Sequence, residues 1–244
     1  MMTMTAPAED ATSLFLKSWR VYQEIIEHNY MFHREISAAA HAALEDYNPD
    51  QKLNVIDLGC GDASMALPLL STERIARYIG CDLSQPALDI AKGKLAKLDV
   101  PYRVYCDDML NVMTKQPDAS AHLMLASYAI HHLNANDKQR IIREIARVLS
   151  PGGILLLIDI FREPEEERID YMTNYMAAIR KTWKVLSKEA QALVIDHATQ
   201  YDFPELAKFY EAICAKHSLH QAQRLAKHTW HEAWVFKKTS TGNQ

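Results

Sequence analysis

Val55-Ile56-Asp57-Leu58-Gly59-Cys60-Gly61-Asp62-Ala63 is the stretch on which the reading of this chain turns. Leu53 to Leu58 is a short apolar run that ends on a Gly-x-Gly turn. The pattern predicts a strand, a tight turn and then a helix over about 63–70, which together bring backbone N–H groups close to a ligand. A dinucleotide site would carry a third glycine where Ser64 stands. Asp57, two places before the first glycine, would repel a pyrophosphate but suits a ligand carrying an ammonium or sulfonium group. The plain alternative is a glycine turn joining strand to helix.

The same alternation continues outward. Residues 12–45 contain no Gly or Pro, and Leu14, Trp19, Val21, Tyr22, Ile25 and Ile26 give them one apolar face, so they read as one helix closed by Tyr47-Asn48-Pro49-Asp50. Further strands are expected at Arg77–Cys81, Tyr102–Cys106, His122–Ser127 and Ile154–Ile160. Helices are expected from Ser84-Gln85-Pro86 to about Leu98 and over about 135–149, the latter stopped by Pro151-Gly152-Gly153. The fifth strand is apolar on both faces, as in the middle of a parallel sheet. Residues 163–216 break the rhythm and read as an inserted helical cap, restarting after Phe203-Pro204. Two last strands, about 218–224 and 229–237, would form an antiparallel hairpin around Ala226, Lys227 and His228. The expected organisation is an N-terminal helical extension (1–50), an α/β core (51–162 and 217–244) and the cap (163–216), with ligands at the carboxyl ends of the strands.

Those strand ends carry acidic residues at useful places. Asp82 follows Gly59 by 23 positions, where a carboxylate can take both hydroxyls of a ribose. The third strand ends on Asp107-Asp108-Met109, where a carboxylate can accept an adenine amino proton and a Met can lie on the ring. The segments VIDLGCGDAS, IGCDLS, CDDM, ASYAIHHL and LSPGGILLLID, in that order over about 53–160, resemble the motif series of the class I S-adenosylmethionine-dependent methyltransferases. That resemblance implies a Rossmann-like sheet of seven strands, mostly parallel with an antiparallel last strand, and S-adenosyl-L-methionine as cofactor. It implies Asp57, Gly59 and Gly61 at the methionine end and Asp82 at the ribose. Asp108, preferred to Asp107, would serve the adenine with Met109, and Ser127 would lie along the cofactor. Cys60 and Leu83 join the same cofactor-binding set. Ala63 stands where the family has its third glycine, a departure that leaves cofactor binding intact.

Methyl transfer is an in-line displacement from an already activated donor. The protein therefore has mainly to align the acceptor at ~3–3.5 Å and exclude water. His131 and His132, just after the fourth strand, are the candidate catalytic groups, since a histidine can take a proton near neutral pH; packing and helix capping are the other uses for them. Tyr30, His33, Tyr128, Asp159 and His197 are candidate acceptor-binding residues, with Tyr201 and Asp202 next in line. Tyr30, His33 and Arg34 fall roughly on one helical face, and Arg34 either pairs with the cofactor's carboxylate or makes a salt bridge within the domain.

Composition limits the partners. Hydrophobic residues make up 48% and charged residues 24% of the 244-residue chain, the balance of an ordinary globular protein. Lys and Arg (27) are outnumbered by Asp and Glu (31), giving a net charge of -4, and no basic stripe offers to hold a phosphate backbone. Ser127-Tyr128-Ala129-Ile130 does not resemble the [ND]PP[YF] of nucleic-acid amino methylases. No Pro-Cys pair offers the nucleophile of a cytosine C5 enzyme. The expected partner is thus a small or medium-sized organic acceptor with an O, N or C nucleophile, and no nucleic acid. A lipid or quinone acceptor reached through a membrane-touching N-terminal helix is the second reading, and a non-catalytic cofactor-binding protein the third. Met1 to Asp10 reads as a short disordered lead-in with no secretory signal. The four cysteines lack CxxC spacing, so reduced thiols in a cytoplasmic protein and no metal are expected. Cys60, Cys81 and Cys106 are expected to line the cofactor cleft from different strands. The oligomeric state stays open, a homodimer being one option.

Overall fold

Successive residues of the central strands are buried on opposite faces, which divides the interior into two layers. A computed structural model describes residues 20–48, 50–69 and 71–239. The expected lead-in, Leu14 and Trp19 lie outside them. The strands are β1 (Leu53–Leu58), β2 (Ile75–Asp82), β3 (Tyr102–Cys106), β4 (Ala121–Ser127), β5 (Leu149–Arg162), β6 (Glu205–Leu206), β7 (Leu219–His228) and β8 (His231–Lys238). Their order is β3-β2-β1-β4-β5-β8-β7, with the two-residue β6 added beside β5. Strands β1 to β5 run parallel, and β8 is antiparallel to both β5 and β7. This is the mostly parallel, seven-stranded Rossmann-like sheet with an antiparallel last strand.

The helices are α1 (residues 20–27), α2 (His33–Glu45), α3 (Gln85–Leu95), α4 (Met109–Thr114), α5 (Ala135–Val148), α6 (Arg168–Thr182), α7 (Lys188–Tyr201) and α8 (Ala207–Ala215). Val55, Leu123, Leu125, Leu156 and Ile158 face one layer, where they pack with Ile36, Ala40 and Leu44 of α2 and Tyr171 and Tyr175 of α6. Their neighbours Ile56, Leu58, Met124, Ala126, Leu155 and Leu157 face the other, with Ile141, Ile142 and Ile145 of α5 and Tyr210, Ile213 and Cys214 of α8. The period of two is what a strand buried on both faces requires. Within 163–216, α6 therefore shares a layer with α2, while α8 lies on the opposite face beside α5.

Three sequence expectations are corrected. The single helix over 12–45 is broken between α1 and α2, where Asn29 and Phe32 both have φ of 56°. The break needs no Gly or Pro, because Asn29 bonds locally: Oδ1 accepts from the Arg34 N–H at 3.0 Å, and Nδ2 donates to Glu35 at 2.8 Å. Among the described residues no α-helix follows the glycine turn, and 63–69 holds a 3-10 turn, Leu67–Leu69. Ala63 is left-handed (φ 62°), and Asp62 Oδ1 accepts from the Ser64 N–H at 3.0 Å, an Asx-type turn that competes with helix; Pro68 removes a further donor. The terminal hairpin turns at Thr229-Trp230, and Ala226, Lys227 and His228 belong to β7. As the edge strand β7 is largely exposed, so its polar residues suit a strand there.

Caps set the helix starts around the strand ends. Ser84 Oγ accepts from the Ala87 N–H at 3.3 Å with Pro86 in the first turn of α3, and Asn134 Oδ1 accepts from the amides of Asn136 and Asp137 at 3.0 Å. The N-terminal segment is tied to the sheet by Tyr128, whose buried hydroxyl donates to the Met31 carbonyl at 2.7 Å. Tyr128→Phe leaves that buried carbonyl without its donor and should lower the unfolding free energy by about 1–3 kcal/mol in urea titration. An unchanged midpoint would show that α1 and the turn after it are held by apolar contact alone.

Candidate functional site

The parallel register brings the ends of β1, β2, β3 and β4 to one edge, beside the point where strand order reverses between β1 and β4. A cavity of about 510 Å³ lies there, a size within the ordinary range for small-ligand sites. Asp57, Gly59, Cys60, Gly61, Asp82, Leu83, Asp108, Met109 and Ser127 all line it, as does Asp107.

The glycine turn is shaped by sterics and by a carboxylate. Gly59 and Gly61 have φ of 67° and 51°, and a Cβ on Gly59 would sit 2.4 Å from the Cβ of Ala129. Asp82 clamps the turn: Oδ2 accepts from the Gly61 N–H and Oδ1 from the Ser84 N–H, both at 2.8 Å. Burial raises its pKa, against the lowering effect of these amides. Asp57 is 3% exposed and accepts from the Tyr78 hydroxyl at 2.7 Å. Burial pushes its pKa up to about 7, opposed by the Tyr78 hydrogen bond and reinforced by Asp82. Asp108 Oδ1 caps α4 through the amides of Leu110 (2.8 Å) and Asn111 (3.3 Å), while Asp107 pairs with Lys115 at 3.1 Å.

On the far wall, histidines from the β4 loop meet the cap. The Nδ1 of His131 bonds to Asp159 Oδ1, and Asp159 Oδ2 accepts from the His131 N–H at 3.0 Å. His131 Nε2 lies 3.5 Å from Asp202 Oδ1, His132 Nδ1 lies 3.3 Å from the same oxygen, and His197 Nε2 is 3.9 Å away. Burial works against charge on His131, but Asp159 and Asp202 outweigh it and raise its pKa to about 10. Both ring nitrogens of His131 thus face carboxylates, Asp159 at Nδ1 and Asp202 at Nε2, an arrangement that favours its charged form when nothing else occupies the site. His132, half-buried in the cavity wall, places Nδ1 3.2 Å from the Tyr201 carbonyl.

Other expected residues fall elsewhere. Arg34 is exposed and donates to the Glu27 carbonyl at 2.8 Å, away from the cavity, so it does not serve a cofactor carboxylate. The helix break moves Tyr30 into a turn, where its ring stacks on Trp183 (centroids 5.0 Å apart) and its hydroxyl accepts from the Val185 N–H at 2.9 Å. His33 is buried behind Tyr128, and desolvation lowers its pKa to about 4, so it is a neutral packing group. Asp159 sits beneath His131 and orients it, instead of reaching an acceptor. Tyr128 does line the cavity but has spent its hydroxyl on Met31, leaving its ring. Cys60 and Cys81 line the cavity, with thiol pKa values raised by burial, whereas Cys106 is exposed with Sγ 3.5 Å from the Leu83 carbonyl.

The sequence named the cap, the apolar face of the N-terminal helix and Tyr201, but not Tyr175, Trp183, Leu193 or Val194 as lining residues. Val21, Tyr22, Ile25 and Ile26 of α1, Tyr175 of α6, Trp183, and Leu193, Val194 and Tyr201 of α7 close the cavity from above. The apolar face of α1 was the available signal, and it covers the ligand cavity.

An acidic floor with a glycine turn, a clamped carboxylate on β2 and a second acidic pair after β3 fits a nucleoside carrying positive charge. Fold and site are similar to those of the class I S-adenosylmethionine-dependent methyltransferases, and the residues present suit that cofactor. Residues 55–153 match the family described as methyltransferase domain. Among curated proteins, the chain is 30% identical over 150 residues to a carboxy-S-adenosyl-L-methionine synthase from Actinobacillus succinogenes, covering 58% of each chain. It is 32% identical over 110 residues to a 27-O-demethylrifamycin SV methyltransferase from Amycolatopsis mediterranei, covering 45% of this chain and 39% of that one. The chain spans little more than half the length of the synthases it matches first. Its fold is similar to that of the 1,6-didemethyltoxoflavin-N1-methyltransferase of Burkholderia thailandensis, solved with bound 1,6-didemethyltoxoflavin and S-adenosylhomocysteine. That similarity has a TM-score of 0.62 at 15% identity and covers 98% of this chain and 93% of that one.

Two outcomes follow from the floor. Gly59→Ala combines a disfavoured left-handed backbone with overlap on Ala129 and should cost about 2–4 kcal/mol of stability in urea titration; a cost below the error of measurement would contradict the turn geometry. Asp57, with a folded pKa near 7 against ~3.9 unfolded, binds more protons in the folded state between those values. Its contribution to stability is thus full below ~pH 4 and lost as pH rises through 7. A ligand ammonium set against Asp57 needs the ionised carboxylate, so affinity for S-adenosylhomocysteine, which carries that ammonium but no sulfonium, should fall toward tenfold per pH unit below 7 when measured by calorimetry. Asp57→Asn should bind more weakly at pH 8 and lose that slope.

Proposed function

We propose that the protein transfers the methyl group of S-adenosylmethionine to a small or medium-sized organic acceptor held between the strand ends and the helical cap. The observation that carries this reading is the continuity of one cavity from the acidic floor to an aromatic roof of Tyr22, Tyr175 and Trp183. The aromatic roof favours a flat or apolar acceptor, and the histidines and Asp202 of the adjoining wall supply the polar groups that would fix its orientation. When bound, the cofactor supplies a methyl already activated by its sulfonium. The chain's own work is to hold the cationic end near Asp57, align the acceptor beneath the roof and keep water out. The relatives named for a rifamycin intermediate and for carboxy-S-adenosylmethionine support use of the cofactor and leave the acceptor open. Among the described residues no helix is long and apolar enough to cross a membrane. The apolar face of α1 is engaged over the cavity, which favours an enclosed acceptor over a lipid or quinone reached at a bilayer. All four thiols are free, which suits a reducing compartment such as the cytoplasm.

Incubation with S-adenosylmethionine and a small-metabolite extract, followed by mass spectrometry, should give S-adenosylhomocysteine together with one methylated compound. Carboxy-S-adenosylmethionine as the product would overturn the methyl-transfer reading. Calorimetric binding without turnover across extracts would favour a cofactor-binding protein instead.

A further inference from the structure

Asp202 Oδ1 is a buried carboxylate oxygen that three histidine nitrogens surround at ion-pair distances of 3.3, 3.5 and 3.9 Å, none of them aligned as a hydrogen bond. A buried polar atom in a folded protein is normally hydrogen-bonded, and a carboxylate oxygen at the centre of several nitrogens, aligned with none of them, calls for a physical reason. We propose that His131, His132 and Asp202 form a binding site for a transition-metal dication that opens into the cavity, with His197 within reach as a further donor.

The spacing supports it. Donors bound at ~2.0–2.1 Å in a tetrahedral sphere stand roughly 3.3–3.4 Å apart, and the two His–Asp separations are 3.3 and 3.5 Å. The donor atoms of His131, His132 and Asp202 all lie within 4.8 Å of one another. The surroundings of His131 are those of a metal ligand: its Nδ1 is held by a buried carboxylate, Asp159, which fixes ring orientation, and a dication at Nε2 would displace the proton that Asp202 otherwise favours there. His132 Nδ1 would exchange its contact with the Tyr201 carbonyl for the ion. Two imidazoles and one carboxylate select Zn2+ or a neighbouring first-row dication over Mg2+ or Ca2+, which prefer all-oxygen spheres.

All three ligands line the cavity, so an ion there keeps at least one position facing the ligand space. That position fits an acceptor with a hydroxyl, enol or carboxylate oxygen, bound as an anion beside the methyl donor; this use, unlike the site itself, rests on the methyl-transfer reading. No CxxC or HxxxH spacing announces the site, because its ligands come from the β4 loop and from the end of α7, 70 positions apart.

Metal binding is read without turnover, so its failure is separable from failure of the proposed activity. Protein without an affinity tag, stripped with chelator, would be titrated calorimetrically with Zn2+ and followed by visible absorption with Co2+, with Mg2+ as the hard-ion control. The expected result is one Zn2+ per chain, a Co2+ d–d band displaced by Zn2+, and no saturable Mg2+ binding. His132→Ala and Asp202→Asn should each weaken Zn2+ by at least ~100-fold, and Asp159→Asn by ~10–100-fold. His41→Ala, on the exposed face of α2, should change nothing. Should Asp202→Asn fail to fold by circular dichroism, His132→Ala on a half-buried side chain still decides. Absence of Zn2+ and Co2+ binding to the folded wild-type protein would overturn the site and leave an internal ion-pair cluster. Undiminished binding in folded His132→Ala would overturn it as well.

Discussion

The hydrogen bond from the Gly61 amide to the Asp82 carboxylate, across the ends of β1 and β2, holds the geometry on which the site depends. Three residues of the turn, Gly59, Gly61 and Ala63, sit at positive φ, and among the described residues no α-helix follows to lock them. What stabilises this backbone is therefore charge and sterics. Asp82 takes the amide of Gly61, Asp62 takes that of Ser64, and Lys94 ties Asp62 at 2.7 Å and Ser64 Oγ at 2.5 Å. The parallel pairing of Asp57 with Gly80 and Leu125 then sets the turn beside the β4 loop that carries the histidines.

The electrostatics of the cavity are divided between its two walls. On the floor, Asp57, Asp82, Asp107 and Asp108 face the ligand space; Lys115 pairs with Asp107 and Lys94 with Asp62, whereas Asp57 and Asp82 have no lysine or arginine partner among the described residues. A cationic ligand relieves that imbalance, and Asp57, whose pKa burial pushes to about 7, is the group that feels it most. On the opposite wall, Asp159 from β5, His131 from the β4 loop and Asp202 from the end of α7 form a line of alternating charge that joins sheet to cap. Lys138, fully buried on α5, reaches the Phe203 carbonyl just beyond, so cap and sheet are fastened by polar contacts as well as by the aromatic layer.

Legibility in the sequence followed range. The floor was legible because strand, Gly-x-Gly turn and acidic strand end are local patterns, each written within a few residues. The sheet was legible because Val55, Ile56, Leu58 and the run Ile154 to Ile160 can only be buried on two faces. The break between α1 and α2 was hidden because Asn29 makes it, through bonds to Arg34 and Glu35, in a stretch with no Gly or Pro. That break displaced Tyr30, His33 and Arg34 from the face a continuous helix would have given them. The members of the histidine cluster and the helical cap were named from the sequence, but how they meet was not legible. Tyr22, Trp183, Val194 and Asp202 come together with His131 and His132 only through the tertiary fold, and nothing in their spacing records it.

Hydrogen–deuterium exchange of the whole chain with and without S-adenosylhomocysteine tests the placement of the cofactor most directly. Binding in this cavity should slow exchange at 58–64, 82–84 and 107–110, and in α1 and α7 where they roof it, while the edge strand β7 stays unchanged. Protection confined to other surfaces, with 58–64 and 82–84 exchanging as in the free protein, would contradict the site.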